Sequence, residues 1–95
     1  MESPARPEEY QFKLFIAGMS GKSVIAVDNL RRICEEYLEN KYTIEIIDLS
    51  RDPHLAARHE IIAIPTLIKT APYGIRTILG DLSDTAKVLK ILEID

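Results

Sequence analysis

Between Tyr10 and Ala17, apolar residues first alternate with polar ones at Tyr10, Phe12, Leu14 and Ile16. The run then becomes continuous as Phe15 and Ala17 join it. A period of two that closes into an unbroken run is the pattern of a strand covered on both faces. Gly18-Met19-Ser20-Gly21 ends the run, and the next segment has a different period. Val24, Val27, Leu30 or Ile33, Cys34, Tyr37 and Leu38 recur at steps of three and four, with Asp28, Arg31, Arg32, Glu35 and Glu39 opposite. That spacing predicts an amphipathic helix, capped by Ser20 or Ser23. Tyr42 to Leu49 (YTIEIIDL) is rich in β-branched residues and reads as a second strand. Strand, helix and strand in close succession form a β-α-β unit, which commits the chain to a parallel strand pair with a helix laid over it.

The second half shows the same kinds of signal. Ser50-Arg51-Asp52-Pro53 is a polar turn in which Asp52 has the form of an N-cap before an N1 proline, so a short helix through His54 to His59 is expected. Pro65 to Lys69 (PTLIK) and Ile75 to Leu79 read as strands. The turn Ala71-Pro72-Tyr73-Gly74 between them suggests a hairpin. Gly80-Asp81-Leu82-Ser83 supplies a break and a cap, after which Ala86, Val88, Leu89 and Leu92 line one face of a last helix. The order β-α-β-α-β-β-α is the thioredoxin-like arrangement, and Ile64-Pro65 opens the third strand where that fold commonly carries a cis proline. Met1 to Glu9 holds two prolines and three glutamates without apolar periodicity and reads as a disordered lead-in to a single domain over residues 10–95.

Composition narrows the function. A chain of 95 residues, 46% of them apolar, builds one modest core. The net charge of -3 arises from 12 basic and 15 acidic residues scattered along the chain, which leaves no broad cationic field for a nucleic acid. No apolar run is long enough to span a bilayer, and the first residues lack the apolar core of a signal peptide. Cys34 is the single cysteine, so no internal disulfide forms, and a reducing, cytoplasmic setting is expected.

Each candidate for chemistry meets a simpler reading. Thioredoxin-type redox chemistry needs paired cysteines where the first strand meets the first helix, and here that loop reads AGMSGKS. Cys34 falls about three turns into the helix, where it packs as a small hydrophobe. Gly18 to Ser23 resembles the end of a phosphate-binding loop, but the position that must be glycine is Ile16, inside the strand. What remains is weak anion binding at a helix N-terminus, against a loop that simply turns and caps. His54 and His59 lie five residues apart and, with Asp48, Asp52 and Glu60, restore no recognised metal spacing, so both read as solvated. No nucleophile, base and acid can be grouped from the sequence. The basic residues Arg51, Arg58, Lys69 and Arg76, in or beside turns, are either ordinary solvated charge or contacts for an acidic protein surface.

Four segments in register tip that balance. KLFIAG at Lys13 to Gly18, IDLSRDPHLA at Ile47 to Ala56, IPTLIK at Ile64 to Lys69 and IRTILGDLS at Ile75 to Ser83 together resemble the KaiB family over roughly Tyr10 to Leu92. The resemblance implies a non-enzymatic component of a circadian or timing system, without a cofactor, that binds the N-terminal ring of a KaiC-like ATPase. It also implies a second family partner, KaiA, and competition with a KaiB-like sensor domain of a histidine kinase. Mapped onto this chain, it implies partner contacts from Asp48, Arg51, Asp52, Pro53, Arg58, Lys69 and Arg76, with Pro65, Gly80 and Asp81 structural. The family has two folds: a tetrameric ground state and a thioredoxin-like binding state share the first half and differ in the second, so self-association to a dimer or tetramer is part of the expectation.

The departures from the family pattern are specific. Ile25, Glu45 and Glu60 stand where clock relatives often carry a positive charge, which weighs against capture of a KaiA-like protein and points to a divergent KaiC. Lys69, Arg76 and Lys87 match. Ile91 replaces a glycine, which favours whichever regular element forms there, and the helical spacing of TAKVLKILEI predicts a well-populated thioredoxin-like state. The competing functions are a stress or signalling adaptor without a clock, a stand-alone relative of the kinase sensor domain, and a thioredoxin-like oxidoreductase.

Overall fold

The computed structural model describes residues 9–94, so apart from Glu9 the expected disordered lead-in lies outside the described residues. Along the chain run β1 (Tyr10–Ile16), α1 (Gly21–Tyr37), β2 (Tyr42–Asp48), α2 (His54–Arg58), β3 (Thr66–Ala71), β4 (Arg76–Leu79) and α3 (Thr85–Leu92). The strands form one sheet of order β2-β1-β3-β4. β1 pairs parallel with β2, from Tyr10 opposite Tyr42 to Ile16 opposite Asp48, and antiparallel with β3. This is the thioredoxin-like of the two expected arrangements, with α3 a helix over Thr85–Leu92.

The alternation in β1 sorts its side chains between two layers. Tyr10, Phe12, Leu14 and Ile16 join Leu67 and Ile78 in one buried cluster with Ala26, Leu30, Ile33, Cys34 and Leu38 from α1 and its end, and with Val88, Leu92 and Ile94 from α3 and its end. Each leucine, isoleucine, valine or phenylalanine among them contributes about 1.5–3 kcal/mol by leaving water. Phe15 points the other way, is fully buried, and meets the His59 ring at 5.1 Å between centroids. His59, expected to be solvated, is thus half-buried because α2 and its end are what cover Phe15. Tyr37, expected on the buried face of α1, is 41% exposed, and Ala86 is exposed on α3, where Ile91 packs instead.

Caps fix the helix ends. Ser20 accepts from the Ser23 N–H at the start of α1. Asp52 accepts from the His54 N–H, as its place before Pro53 suggests, although α2 begins one residue later than a proline at N1 would have it. α3 is capped by Asp84, one residue beyond the expected break, through the Lys87 N–H. Its far end is closed by Glu93, which takes a left-handed conformation so that the Ile94 N–H reaches Leu89 O at 2.9 Å and the Glu93 N–H reaches Lys90 O at 3.2 Å. That pairing satisfies two carbonyls the last turn would otherwise leave open. The Ile64-Pro65 and Ala71-Pro72 bonds are cis.

One charged side chain lies in the core. Lys69 sits opposite Phe12 of β1 and is 0% exposed. Its Nζ donates to Pro72 O and lies 5.8 Å from the Tyr10 ring centroid and 6.0 Å from that of Tyr73. The two ring faces give the ammonium part of what water would. Burial pulls its pKa below the ordinary lysine value; Glu93 pushes it back up and Arg76 adds to the fall.

Two outcomes are expected for stability. Ile91→Gly removes both a core contact and helix propensity, so it should lower stability by about 2 kcal/mol or more, a fall of roughly 8 °C or more in the thermal midpoint. Unfolding monitored by circular dichroism measures this, and an unchanged midpoint would contradict the packing of Ile91. For Lys69, the unfolded chain binds more protons than the folded one between the lowered folded pKa and the ordinary lysine value. Stability should therefore rise with pH through that window, with the penalty fully present below it. Lys69→Met should flatten that alkaline rise and be as stable as the parent, or about 1 kcal/mol more so, at neutral pH. A less stable Met variant would mean that the ring and carbonyl contacts outweigh desolvation.

Candidate functional site

The carboxyl ends of β1 and β2 lead into two loops that one carboxylate holds together. Asp48 Oδ1, at the last position of β2, accepts from the Gly18 N–H at 2.8 Å, from the Ser50 N–H at 2.9 Å and from Ser50 Oγ at 2.7 Å. The Ser50 hydroxyl first, then the two backbone N–H groups, hold the Asp48 carboxyl below the usual carboxylate range. Gly18 sits at φ +60°, which lets the chain turn tightly over Asp48. The Leu49 N–H completes the join on Ile16 O at 2.8 Å. Where thioredoxin-type chemistry would need its cysteines, this chain has Ala17, whose N–H donates to Ser23 Oγ at 3.2 Å, and Ser20, whose hydroxyl bonds the same oxygen at 2.9 Å.

Beyond that joint the surface is open. Arg51, Asp52, Pro53 and Arg58 are exposed, and no side chain of α2 is buried. The ion pairs among the described residues are Arg32–Glu36 and Arg76–Glu93, so Arg51 and Arg58 stand outside both. Two apolar residues flank them at the same end of the sheet: Met19, 83% exposed in the β1–α1 loop, and Ile62, 88% exposed after α2. Sequence reasoning singles out neither as a surface anchor. Ile62 belongs to the run Ile61 to Ile64, whose apolar character alone reads as core.

Lys69 and Arg76 lie elsewhere. They are register partners of β3 and β4 near the hairpin turn, level with Phe12, while α2 adjoins the far end of β1. The expected contact residues therefore divide into two groups at opposite ends of the sheet. Lys69 is fully buried in this conformation, its side chain turned to the helix-covered face on the same side as Phe12. Arg76 is half-exposed, with Nη2 3.5 Å from Glu93 and Nη1 donating to Ile75 O at 3.0 Å. Tyr10 Oη donates to the Glu93 carbonyl at 3.0 Å in the same cluster.

The Gly80 N–H bonds Pro65 O at 2.9 Å, and Gly80 has φ +110°, a conformation side chains resist. Asp81 accepts from the Ser83 N–H at 3.1 Å, and its carbonyl accepts from Asn29 Nδ2 of α1 at 2.9 Å. The Ser83 hydroxyl, ahead of its N–H, holds the Asp81 carboxyl below the ordinary range. These contacts seat Leu82 in the core at φ +66°.

Cys34 is fully buried, and desolvation, with Glu35 adding to it, pushes its pKa up to about 12, so thiolate is scarce at neutral pH. Among the described residues no three His, Cys, Asp or Glu side chains gather as a metal would need, and no helix is long and apolar enough to cross a membrane.

With this geometry in view, comparison with known proteins is specific. The KaiB domain family matches residues 13–94. A circadian clock oscillator protein KaiB of Microcystis aeruginosa is 42% identical over 85 residues, 90% of this chain and 82% of that protein. A circadian clock protein KaiB3 of a Synechocystis species is 44% identical over 82 residues, covering 86% and 80%. Among solved structures, the N-terminal domain of SasA from Synechococcus elongatus aligns over 98% of this chain and 91% of its own with a TM-score of 0.73 and 18% identity. Chloroplastic thioredoxin z aligns over 90% and 77% with a TM-score of 0.72 and 20% identity. The two structures share the fold, and the sequences with the family model carry the descent: the chain belongs to the KaiB family, the circadian clock proteins.

Proposed function

We propose that this chain is a non-enzymatic binding module of a circadian or timing system, which docks through α2 and the Asp48–Pro53 turn on the N-terminal ring of a KaiC-type ATPase. The observation that carries the reading is the exposed surface of α2. Arg51 and Arg58 stand free of the ion pairs found, on a rigid joint held by Asp48. Exposed cations steer an acidic partner, and a preformed backbone limits the ordering cost of docking to their side chains. Asp48 serves the surface by shaping it, and Arg76 acts at the hairpin, away from α2.

The reading includes a change of fold, with the second half from β3 to α3 as the part that rearranges and self-association accompanying the other state. Capture of a KaiA-like protein is not part of it, because Ile25 and the carboxylates Glu45 and Glu60, all exposed, occupy the positions expected to be basic.

Binding to a purified KaiC-type ATPase tests this. Arg58→Glu and Arg51→Glu should each weaken binding about ten-fold, roughly 1.4 kcal/mol. Arg76→Glu should act less on docking than on the stability of the α3 end, read by its amide exchange. Affinity indifferent to both the Arg51 and Arg58 reversals would remove α2 from the interface. Backbone chemical shifts across Val88 to Leu92 should be helical, and strand shifts with a tetrameric mass would show the other state to dominate.

A further inference from the structure

At the end of the sheet opposite α2 lies a groove of about 580 Å³. It runs between Tyr73 of the β3–β4 turn, 65% exposed, and Leu89, Lys90, Glu93 and Ile94 of α3 and its end. Lys90 belongs to neither ion pair among the described residues. Glu93 meets Arg76 at 3.5 Å through Oε1, and a carboxylate has lone pairs for a second cation. Lys69, Arg76 and Lys90 gather there about Glu93, an arrangement that suits an acid-rich segment carrying one base.

The chain enters the fold beside this groove. Tyr10 opens β1, and its hydroxyl bonds the carbonyl of Glu93. Residues 1–8 precede it, outside the described residues, and their sequence is patterned. Proline holds φ at about −65° and restricts the residue before it to extended backbone, so Pro4 and Pro7 constrain Ser3 and Arg6 as well as themselves. A polyproline II helix turns once in about three residues, which puts Met1, Pro4 and Pro7 on one apolar edge, Glu2 and Glu8 on a second and Arg6 on the third. At ~3.1 Å per residue such a segment reaches about 25 Å, ample for a groove whose lining on α3 runs from Leu89 to Ile94. We propose that residues 1–8 pack as a polyproline strap along this groove, with the Met1, Pro4 and Pro7 edge on Tyr73, Leu89 and Ile94, Glu8 beside Lys90 and Arg6 beside Glu93. Proline-rich segments dock on aromatic side chains in this form, and a segment already extended loses little conformational entropy on docking. The strap ties the start of the chain to the hairpin turn and to the end of α3, and it leaves α2 and its preceding turn open.

A nitroxide attached to Ser3→Cys in the full chain tests this, with Cys34 left in place because its thiol is buried and stays unlabelled. The amide resonances of Tyr73, Leu89 and Lys90 should broaden several-fold more than those of Lys41 and Thr43. The latter pair adjoins the first residues of β1 on the other side, where a freely moving segment would reach them at least as often. Lys90→Glu should abolish the preference with an unchanged circular dichroism spectrum, and adding Glu8→Lys should restore it. In a mixture of nitroxide-bearing chain with isotope-labelled chain that carries none, the isotope-labelled resonances should stay sharp. Broadening there would put the strap of a second copy in the groove. That result, equal broadening on the two sides of Tyr10, a preference unmoved by Lys90→Glu, or no recovery with Glu8→Lys would each overturn the proposal.

Discussion

β1 bonds to β2 on one side and to β3 on the other while both of its faces are covered, by α1 and α3 over Phe12 and Leu14 and by His59 over Phe15. A strand enclosed in this way has no backbone group free to bond with water, so its neighbours must supply every partner. The parallel pairing with β2 in turn obliges a crossover, and the crossover is α1. Because both parallel strands end at one side of the sheet, their loops meet there, and the Asp48 carboxylate can bind Gly18 and Ser50 together. The surface proposed for docking is thus a consequence of how the central strand is buried.

Thioredoxin-type chemistry would need paired cysteines at this joint. Here the joint is made of hydrogen bonds among Ala17, Ser20, Ser23, Gly18 and Asp48, and the chain's sulfhydryl is sealed into α1. A loop fixed in this manner holds one shape, and nothing in the core depends on the exposed Arg51 and Arg58 beside it. Lys69 is the opposite case: the same kind of charge, turned inward, becomes part of the core and pays for it in desolvation.

Much of the fold was legible because the apolar periods are clean. The alternation in β1, the helical spacing of α1 and the Asp52-Pro53 start of α2 each state a local preference that tertiary packing keeps. Where sequence and structure part, the reason is geometric. The end of α3 needs a left-handed residue, usually glycine, and Glu93 takes that role, so no glycine marks it. Lysine in a strand reads as surface, and only the meeting of β1, β3 and the Tyr73 turn shows that position 69 is enclosed. The candidate contacts were legible as residue types, but their division between α2 and the hairpin depends on which end of the sheet each strand reaches, and no linear pattern encodes that.

The bond from Tyr10 Oη to the Glu93 carbonyl joins the first residue of the first strand to the end of the last helix, 83 positions away. During synthesis from the N-terminus, β1, α1 and β2 emerge with all of their mutual partners, whereas the Glu93 carbonyl follows only after α3. The Tyr10 hydroxyl therefore clamps the start of the central strand to the end of α3, a contact that β1, α1 and β2 cannot make among themselves.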